Sequence, residues 1–261
     1  MKFLELLSHV GLIAAHRGAR SIAPENTLAA LKKSVGRCDF IEIDVQLSRD
    51  GEAIVMHDDT LQRTTDVAQI ASFASRKPYY VSDFTLSELK KLDYGSWFYK
   101  DKKHSEPLLT LKDALLFIKE NSILLNIEIK DMNKKFNNAD VVGVVVDAIR
   151  KSGVMDSVLI SSFRHEYLKI IKAELSDVPT AALVEGKHPP RLLEYLRELK
   201  VEGYSLNNEL VDRESVETLR EAGFFVGVYT VNNSKRVKEL FDMGVNCVFS
   251  DSLEKKEAGI L

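Results

Sequence analysis

The stretch FIEIDVQLSRDGEAIVMH (residues 40–57) decides the fold of this chain. Its two apolar runs, 40–47 and 53–57, have the length and the β-branched character of strands. The connection between them, Ser-Arg-Asp-Gly-Glu, is far shorter than the dozen or so residues that a parallel crossover needs. The second run is therefore predicted to return antiparallel to the first as a β-hairpin.

Outside this hairpin, short apolar runs alternate with longer segments of helical periodicity. Further strands are predicted at 12–16, 124–130, 158–163, 180–184, 203–207, 224–230 and 247–250. Helices are predicted at 27–35, 111–120, 139–152, 166–175, 190–199, 213–222 and 234–243. With the returning hairpin strand set aside, eight βα-type strands remain, which is the number in a TIM (β/α)8 barrel. Such a barrel carries its active site at the C-terminal ends of the strands.

Residues 58–108 interrupt the alternation. They are rich in turn-prone and aromatic residues, and they show only one short helical pattern, near 85–92. Their apolar residues look too scattered for a core of their own, so the segment is interpreted as an insertion on the site face. The whole chain, 1–261, is accordingly predicted to be a single TIM-barrel domain with a small insertion after the His57-Asp58 end of the hairpin.

Glu42 and Asp44 place two carboxylates two positions apart in the apolar strand 40–47. Side chains at this spacing lie on one face of a strand, and in a barrel the inner face is where catalytic groups converge. Two ionised carboxylates so close together repel each other unless a cation neutralises them, which indicates a hard divalent ion. A solvent-facing strand with alternating polar residues would show the same pattern, and that alternative stays open.

Glu128 repeats this pattern in the run LLNIEIK (residues 124–130), where it shares a strand face with Asn126 and Lys130. A third carboxylate gives an all-oxygen ligand set for one divalent cation, Mg²⁺ or Ca²⁺, with Mn²⁺ as a further option. No cluster of cysteines or histidines offers a zinc site instead. Lys130 would either hold a substrate phosphate oxygen or form an ion pair at the barrel end.

His16 ends the first predicted strand and is followed by Arg17 and Gly18. A lone histidine at a strand end is more often structural. Here, however, Arg17 supplies a bidentate donor for phosphate, and Gly18 lets a ligand approach the backbone. This segment is therefore predicted to belong to the site.

His57 ends the returning strand of the hairpin. A turn centred between residues 49 and 50 would place it opposite Glu42. Two imidazoles beside a hard-metal site suit phosphodiester cleavage, in which one accepts a proton from the attacking hydroxyl and the other donates one to the leaving oxygen. The remaining four histidines are interpreted as surface residues without acidic neighbours; they are His9, His104, His165 and His188.

The charge balance limits the partners of the chain. Its 36 basic and 39 acidic residues leave a formal net charge of -3, so no global positive field exists to hold nucleic acid or an anionic membrane. The expected partner is a small molecule, without stable membrane insertion, and homo-oligomerisation is left open.

Cys38 and Cys247 look like reduced core residues of a cytoplasmic protein, and the N-terminal run is not expected to be a secretory signal.

Three longer segments resemble the glycerophosphodiester phosphodiesterase family in order and in spacing. They are HRGARSIAPENTLAA (16–30), FIEIDVQLSRDGEAIVMHDDTLQRTT (40–65) and LLNIEIK (124–130). The shorter motifs ISSF (160–163), YTVNN (229–233) and VFSD (248–251) extend the resemblance over nearly the whole chain. The resemblance implies a TIM barrel that hydrolyses glycerophosphodiesters to an alcohol and sn-glycerol 3-phosphate.

Carried over position by position, the resemblance implies a role for each site residue. Glu42, Asp44 and Glu128 would bind the metal, His16 and His57 would act as acid and base, and Arg17 and Lys130 would hold the phosphate. Glu25 and Asn26 of the PENT motif would support the site, with Trp97 and Tyr229 at the rim. Tyr229 stands where many members of the family have tryptophan, a difference that bears on substrate contacts at the rim.

Two other functions remain open from the sequence. A barrel phospholipase that cleaves lipid head groups would have similar histidines and carboxylates, and the aromatic residues of the insertion could give it an exposed apolar rim. A catalytically silent barrel that binds phosphate ligands or a protein partner would be marked by loss of a site residue. All five catalytic and metal positions are present in this chain.

Overall fold

The computed structural model describes residues 2–101 and 103–253, and within them nine strands form one sheet. The strands are β1 Leu12–Ala15, β2 Phe40–Leu47, β3 Ala53–Val55, β4 Leu125–Ile129, β5 Val158–Ser162, β6 Thr180–Val184, β7 Gly203–Asn207, β8 Phe225–Tyr229 and β9 Cys247–Ser250. All except β3 run parallel, and β1 pairs with both β2 and β9, which closes the sheet into a barrel. The predicted TIM barrel is confirmed.

Helices connect the parallel strands. They are α1 Phe3–Leu6, α2 Leu28–Ser34, α3 Leu86–Leu89, α4 Ser96–Tyr99, α5 Leu111–Asn121, α6 Asn138–Ser152, α7 His165–Glu174, α8 Leu192–Leu199, α9 Arg213–Glu221 and α10 Ser234–Asp242. Several begin where a short polar side chain accepts a hydrogen bond from the first turn; Thr110 does so for α5 and Asn137 for α6. The predicted helices differ from these by one or two residues at their ends. No helix in the described part of the chain is long and apolar enough to cross a membrane.

The hairpin forms as predicted, but its register differs by one residue. Val45 pairs with Val55 and Leu47 with Ala53, and the Met56 N–H donates to Asp44 O at 2.9 Å. His57 therefore lies beyond the strand, one position away from the predicted alignment with Glu42.

The cause of this shift is the turn. The Ser48 N–H donates to Glu52 O at 3.0 Å, so the loop holds three residues, not two, and Gly51 takes the left-handed conformation, with φ +80, that closes it.

The barrel interior is apolar at one end and polar at the other. Phe40 lies at the base of β2 within the cluster that includes Leu12, Phe225 and Phe249. Phe3 of α1 closes this end, with its ring edge-on to Phe40 at 5.1 Å. Because inward-facing positions recur every second residue, the same face of β2 continues from the apolar base to the carboxylates near the C-terminal ends of the strands.

The insertion has a hydrophobic cluster of its own, so the expectation that its apolar residues are too scattered was wrong. Its largest members include Phe73, Tyr79 and Phe84, joined by Ile54 and Met56 from the returning arm of the hairpin. Short 3₁₀ turns at Val67–Gln69, Ala71–Arg76 and Val81–Asp83 bring these residues together. Such turns have no sustained hydrophobic period, and so the sequence pattern did not reveal the cluster.

The prediction of a single domain over 1–261 includes residues 1, 102 and 254–261, which lie outside the described residues.

Candidate active site

Three carboxylates meet near the C-terminal end of the barrel, on two neighbouring strands. Glu42 and Asp44 come from β2 and Glu128 from β4, with Asp44 directly paired with Glu128 in the register. Each offers an oxygen, and these atoms lie within 4.8 Å of one another. Within the described residues this is the only group of three or more carboxylate, histidine or cysteine side chains close enough to hold a metal ion. We call it the carboxylate cluster.

Burial and mutual repulsion dominate the pKa values of two of the three groups in the carboxylate cluster. Burial, and after it the charges of Asp44 and Glu128, raise the pKa of Glu42 well above its usual range. Burial and Asp44 likewise raise the pKa of Glu128. Burial alone would also raise the pKa of Asp44, but Lys130 and Arg17 lower it to about 2. Additional positive charge would favour the ionised form of all three groups.

The donor set fits a hard divalent cation. Glu42 Oε2 accepts a hydrogen bond from the Arg17 N–H at 2.7 Å, whereas Glu42 Oε1 is buried without a hydrogen-bond partner. A buried carboxylate oxygen without a partner costs free energy, which a cation at this position would recover. The three residues supply oxygen ligands only, the type that Mg²⁺ and Ca²⁺ prefer.

Two cationic side chains flank the carboxylate cluster. Lys130 Nζ lies 2.7 Å from Glu128 and 3.5 Å from Asp44. Arg17, which has a positive φ of 56, lies with its Nε 3.4 Å from Asp44 and donates through Nη1 to Glu25 at 2.9 Å. Both predicted phosphate-binding residues therefore lie beside the carboxylate cluster. Their positive charges face the space that an incoming anion would enter.

His16 follows β1 and lies beside Asp251, which follows β9. Its Nδ1 is 2.7 Å from Asp251 Oδ1. An ionised carboxylate only accepts hydrogen bonds, so Nδ1 carries the proton and Nε2 is left as the basic nitrogen. Burial lowers the pKa of His16, and the hydrogen bond to Asp251 opposes this effect only in part. The lowered pKa favours the neutral form of the His16 imidazole.

Asp251 was not among the predicted site residues, although it ends the VFSD motif (248–251) and directly follows the strand predicted at 247–250. The signal was available in the alternation along β9. Cys247 and Phe249 face the barrel interior, so the residue two positions further on points the same way.

His57 lies just beyond the hairpin, with its Nδ1 2.7 Å from Asp58 Oδ1. Asp58 is held in turn by Arg63, whose Nε donates to Asp58 Oδ2 at 2.6 Å. The imidazole is within electrostatic range of Asp44 and Glu128. The structure thus brings His57 to the carboxylate cluster even though its strand register differs from the predicted one.

The PENT residues contact the site directly. Asn26 donates through Nδ2 to Asp44 Oδ2 at 2.9 Å, and its Oδ1 accepts from the Asp44 N–H at 3.3 Å. Glu25 is buried, accepts hydrogen bonds from Arg17 and Arg63, and forms an ion pair with Arg20 at 2.8 Å. Arg20 and Arg63 were not identified from the sequence, because surface arginines in loops carry no periodic signal.

The two predicted rim residues differ in position. Tyr229 ends β8, and its ring lies edge-on to Phe163 at 5.9 Å. Its hydroxyl donates to Val184 O, and burial, then the charges of Glu185 and Glu128, raise its pKa. Trp97 donates through its indole N–H to Tyr94 O at 2.9 Å and packs against Phe98, both within the insertion. A substrate contact by Trp97 remains a prediction.

The other histidines were expected to be surface residues without acidic neighbours, and three of them differ from this expectation. His165 and His188 are half-buried, and they are hydrogen-bonded to the hydroxyls of Tyr195 and Tyr204 at 2.7 and 3.0 Å. His104 does have an acidic neighbour, Asp101, at 3.2 Å.

Comparison with known proteins agrees with this geometry. A sequence model described as the glycerophosphoryl diester phosphodiesterase family matches residues 16–255. A protein of Bacillus altitudinis named glycerophosphodiester phosphodiesterase is 31% identical over 244 residues, which cover 92% of this chain and 94% of the relative. A protein of the same name from Caldanaerobacter subterraneus is 32% identical over 251 residues, covering 93% and 95% of the two chains.

A solved structure is similar in both fold and sequence. The phosphodiesterase of Oleispira antarctica, in complex with the product sn-glycerol-3-phosphate, superposes with a TM-score of 0.81 and 30% sequence identity. The similarity covers 93% of each chain.

Proposed function

The chain belongs to the glycerophosphoryl diester phosphodiesterase family, and on that premise we propose that it hydrolyses glycerophosphodiesters to an alcohol and sn-glycerol 3-phosphate. The observation that carries the proposal is the meeting of two aspartate-bound histidines with a buried cluster of three carboxylates at the C-terminal end of a TIM barrel. The product bound by the Oleispira antarctica relative supports the glycerol phosphate part of the substrate.

We assign one divalent cation, Mg²⁺ or Ca²⁺ with Mn²⁺ as an alternative, to Glu42, Asp44 and Glu128. The buried Glu42 oxygen without a hydrogen-bond partner supports this assignment. When bound, such an ion offsets negative charge that develops on the phosphate. Arg17 and Lys130 lie beside the same carboxylates and would hold the phosphate oxygens through charged hydrogen bonds.

The different surroundings of the two histidines support different roles. The lowered pKa of His16 keeps its imidazole neutral, and the hydrogen bond from Nδ1 to Asp251 leaves Nε2 able to accept a proton. We assign to His16 the removal of a proton from the attacking hydroxyl. His57 then donates a proton to the leaving oxygen from Nε2, while Asp58 holds its Nδ1.

The lipid head-group alternative depended on aromatic side chains of the insertion forming an exposed rim. Tyr79 and Tyr94 are instead buried in the insertion's cluster, and Trp97 and Phe98 are half-buried. Among the insertion's tyrosines, all of which lie within the described residues, only Tyr80 and Tyr99 are exposed, at 40% and 36%. These positions favour a small, water-soluble diester as substrate over a lipid surface.

The proposal is tested by following the phosphorus products of glycerophosphocholine and glycerophosphoethanolamine by ³¹P NMR. We expect sn-glycerol 3-phosphate as the product, loss of turnover in EDTA, and recovery on addition of a divalent cation. A His16→Ala/His57→Ala double variant, purified identically, controls for contaminating activity. Release of phosphocholine would assign cleavage to the other ester bond, and undiminished turnover in EDTA would rule out the metal.

A further inference from the structure

The two histidines are joined by an unbroken series of hydrogen bonds and ion pairs that runs through one buried glutamate. His16 Nδ1 lies 2.7 Å from Asp251, Asp251 lies 3.4 Å from Arg20 Nη1, and Arg20 Nη2 lies 2.8 Å from Glu25. On the other side Glu25 lies 2.7 Å from Arg63 Nη2, Arg63 Nε lies 2.6 Å from Asp58, and Asp58 lies 2.7 Å from His57 Nδ1. Each imidazole thus has its own aspartate and its own arginine, and the two arms meet at Glu25.

The arms come from separate parts of the chain. Asp251 follows β9, whereas Asp58 follows the hairpin at the start of the insertion. Arg20 lies in the loop after β1, which also carries His16 and Glu25, and Arg63 lies in the insertion, five residues after Asp58. Without a shared anchor, the separation of the two imidazoles would depend on the relative positions of independent loops. Acid and base must face the same phosphate at hydrogen-bond distance, and an error of about 1 Å can cost on the order of 10²-fold in rate.

Glu25 has the properties of such an anchor. Its side chain is 3% exposed, and both of its oxygens are engaged by arginines. Burial raises its pKa, but hydrogen bonding from Arg63 and the charges of Arg17 and Arg20 outweigh burial and lower it, so the group stays ionised. A buried charge with three cationic partners is held in one place, since any movement would leave a buried charge without compensation.

We propose that Glu25 is a positioning residue for both histidines, fixing the separation of the two histidine–aspartate pairs through Arg20 and Arg63. The proposal rests on the acid and base roles of His16 and His57 proposed above. The alternative is that Glu25 only neutralises Arg17, to which it is bonded at 2.9 Å. Under that alternative, its loss would change phosphate binding and leave the imidazoles undisturbed.

The experiment is ¹H–¹⁵N NMR of the histidine side chains in the full-length protein, with long-range correlations that report the tautomer and environment of each ring. We expect Arg20→Gln to shift the His16 signals, Arg63→Gln to shift those of His57, and Glu25→Gln to shift both. Because Glu25→Gln leaves three arginines near one another and can fail to fold, the double variant Arg20→Gln/Arg63→Gln provides a second test. Both of its positions are partly exposed, and Glu25 keeps Arg17 as a partner.

Steady-state kinetics separate the two explanations. Positioning predicts that Glu25→Gln and the double variant lower kcat by about 10- to 100-fold with little change in KM. Neutralisation of Arg17 predicts a raised KM for Glu25→Gln and a normal double variant. The matched control is Glu88→Gln in the insertion. This variant removes another glutamate–arginine ion pair, that of Glu88 with Arg76, whose charged atoms are 2.8 Å apart. It should leave both imidazoles and kcat unchanged.

The proposal is overturned if Glu25→Gln and the double variant leave either imidazole unshifted, or if KM rises while kcat is preserved. The NMR measurement needs no turnover, so it is independent of the proposed function. Inactive wild-type protein whose imidazoles respond as expected would count against the phosphodiesterase activity and not against the network. Active wild-type protein whose imidazoles do not respond in the variants would count against the network and not against the phosphodiesterase activity.

Discussion

His16 and Asp251 lie side by side, with 2.7 Å between Nδ1 and Oδ1, one residue beyond the last paired positions of β1 and β9. Parallel pairing of Ala15 with Ser250 aligns the next residues of both strands at the barrel mouth. The histidine and its aspartate are therefore brought together by the strand register, although they stand at opposite ends of the chain. The hydrogen bond sets the tautomer and the orientation of the ring.

Replacing Asp251 should impair turnover. In Asp251→Asn the amide can donate to Nδ1 and favour the wrong tautomer of His16, so we expect kcat to fall by about 10²-fold. The matched control is Asp101→Asn, which changes the exposed pair of Asp101 and His104, whose side chains are 3.2 Å apart. Steady-state assays on glycerophosphocholine provide the comparison, and equal kcat values for the two variants would contradict the role of Asp251.

The variant Asp251→Asn should also shift the pH dependence of kcat/KM. Catalysis needs neutral His16, and because burial lowers its pKa, the acid limb of kcat/KM should lie below the ordinary histidine value of 6.5. The hydrogen bond to Asp251 raises the pKa of His16, so its removal should lower that pKa further. The acid limb of Asp251→Asn is thus expected at lower pH than that of the wild type. An unchanged limb, or one at higher pH, would exclude His16 as the titrating base.

Cation binding can be measured without turnover. Glu42→Gln removes a buried carboxylate charge from the carboxylate cluster, and we expect the affinity for Mg²⁺, Ca²⁺ and Mn²⁺ to fall by more than about 10²-fold. Isothermal titration calorimetry on wild type, Glu42→Gln and the exposed hairpin variant Glu52→Gln provides the comparison. Glu52→Gln should bind like the wild type. If Glu42→Gln did so as well, the assignment of the cluster as the metal site would be wrong.

Gly18 should be among the positions least tolerant of substitution. It has a φ of +76, and an added Cβ would lie 2.8 Å from the Cβ of Ala30 and 2.9 Å from its carbonyl carbon. Gly36 has a similar φ of +72 but open space around it. Both alanine variants share the backbone strain, so in urea unfolding Gly18→Ala should be less stable than Gly36→Ala by about 1–3 kcal/mol, the usual cost of overpacking. Equal stabilities would show that α2 shifts to accept the methyl group.

Much of the barrel could be predicted because its strands have a clear sequence pattern. Each predicted strand overlaps an observed one, and period-2 alternation alone predicts that Glu42 and Asp44 share the inner face of the barrel. The register of the hairpin could not be fixed in this way, because it depends on whether the loop closes over two residues or three. The hydrogen bond from Ser48 to Glu52 settles that choice in the folded chain.

The parts of the site that escaped prediction are held by contacts between distant loops. Asp251 is separated from His16 by 235 positions in the chain, and Arg63 from Glu25 by 38. Long-range ion pairs leave no periodic trace in one sequence, so Arg20 and Arg63 resemble ordinary surface residues until the fold brings Arg20 to Asp251 and Arg63 to Glu25. The buried aromatic cluster of the insertion was missed for a similar reason, since 3₁₀ turns gather it.

The most direct measurement of the central claim compares kcat for two substrates that differ only in the leaving alcohol. The substrates are glycerophosphocholine and sn-glycero-3-phospho-4-nitrophenol, whose nitrophenolate leaves without needing a proton. We expect His57→Ala to lose about 10²- to 10⁴-fold on glycerophosphocholine and less than about tenfold on the nitrophenyl diester. His16→Ala should lose a similar factor on both, because the attacking hydroxyl still needs a base. Equal losses for His57→Ala on the two diesters, or near-normal turnover of glycerophosphocholine by either variant, would contradict the account.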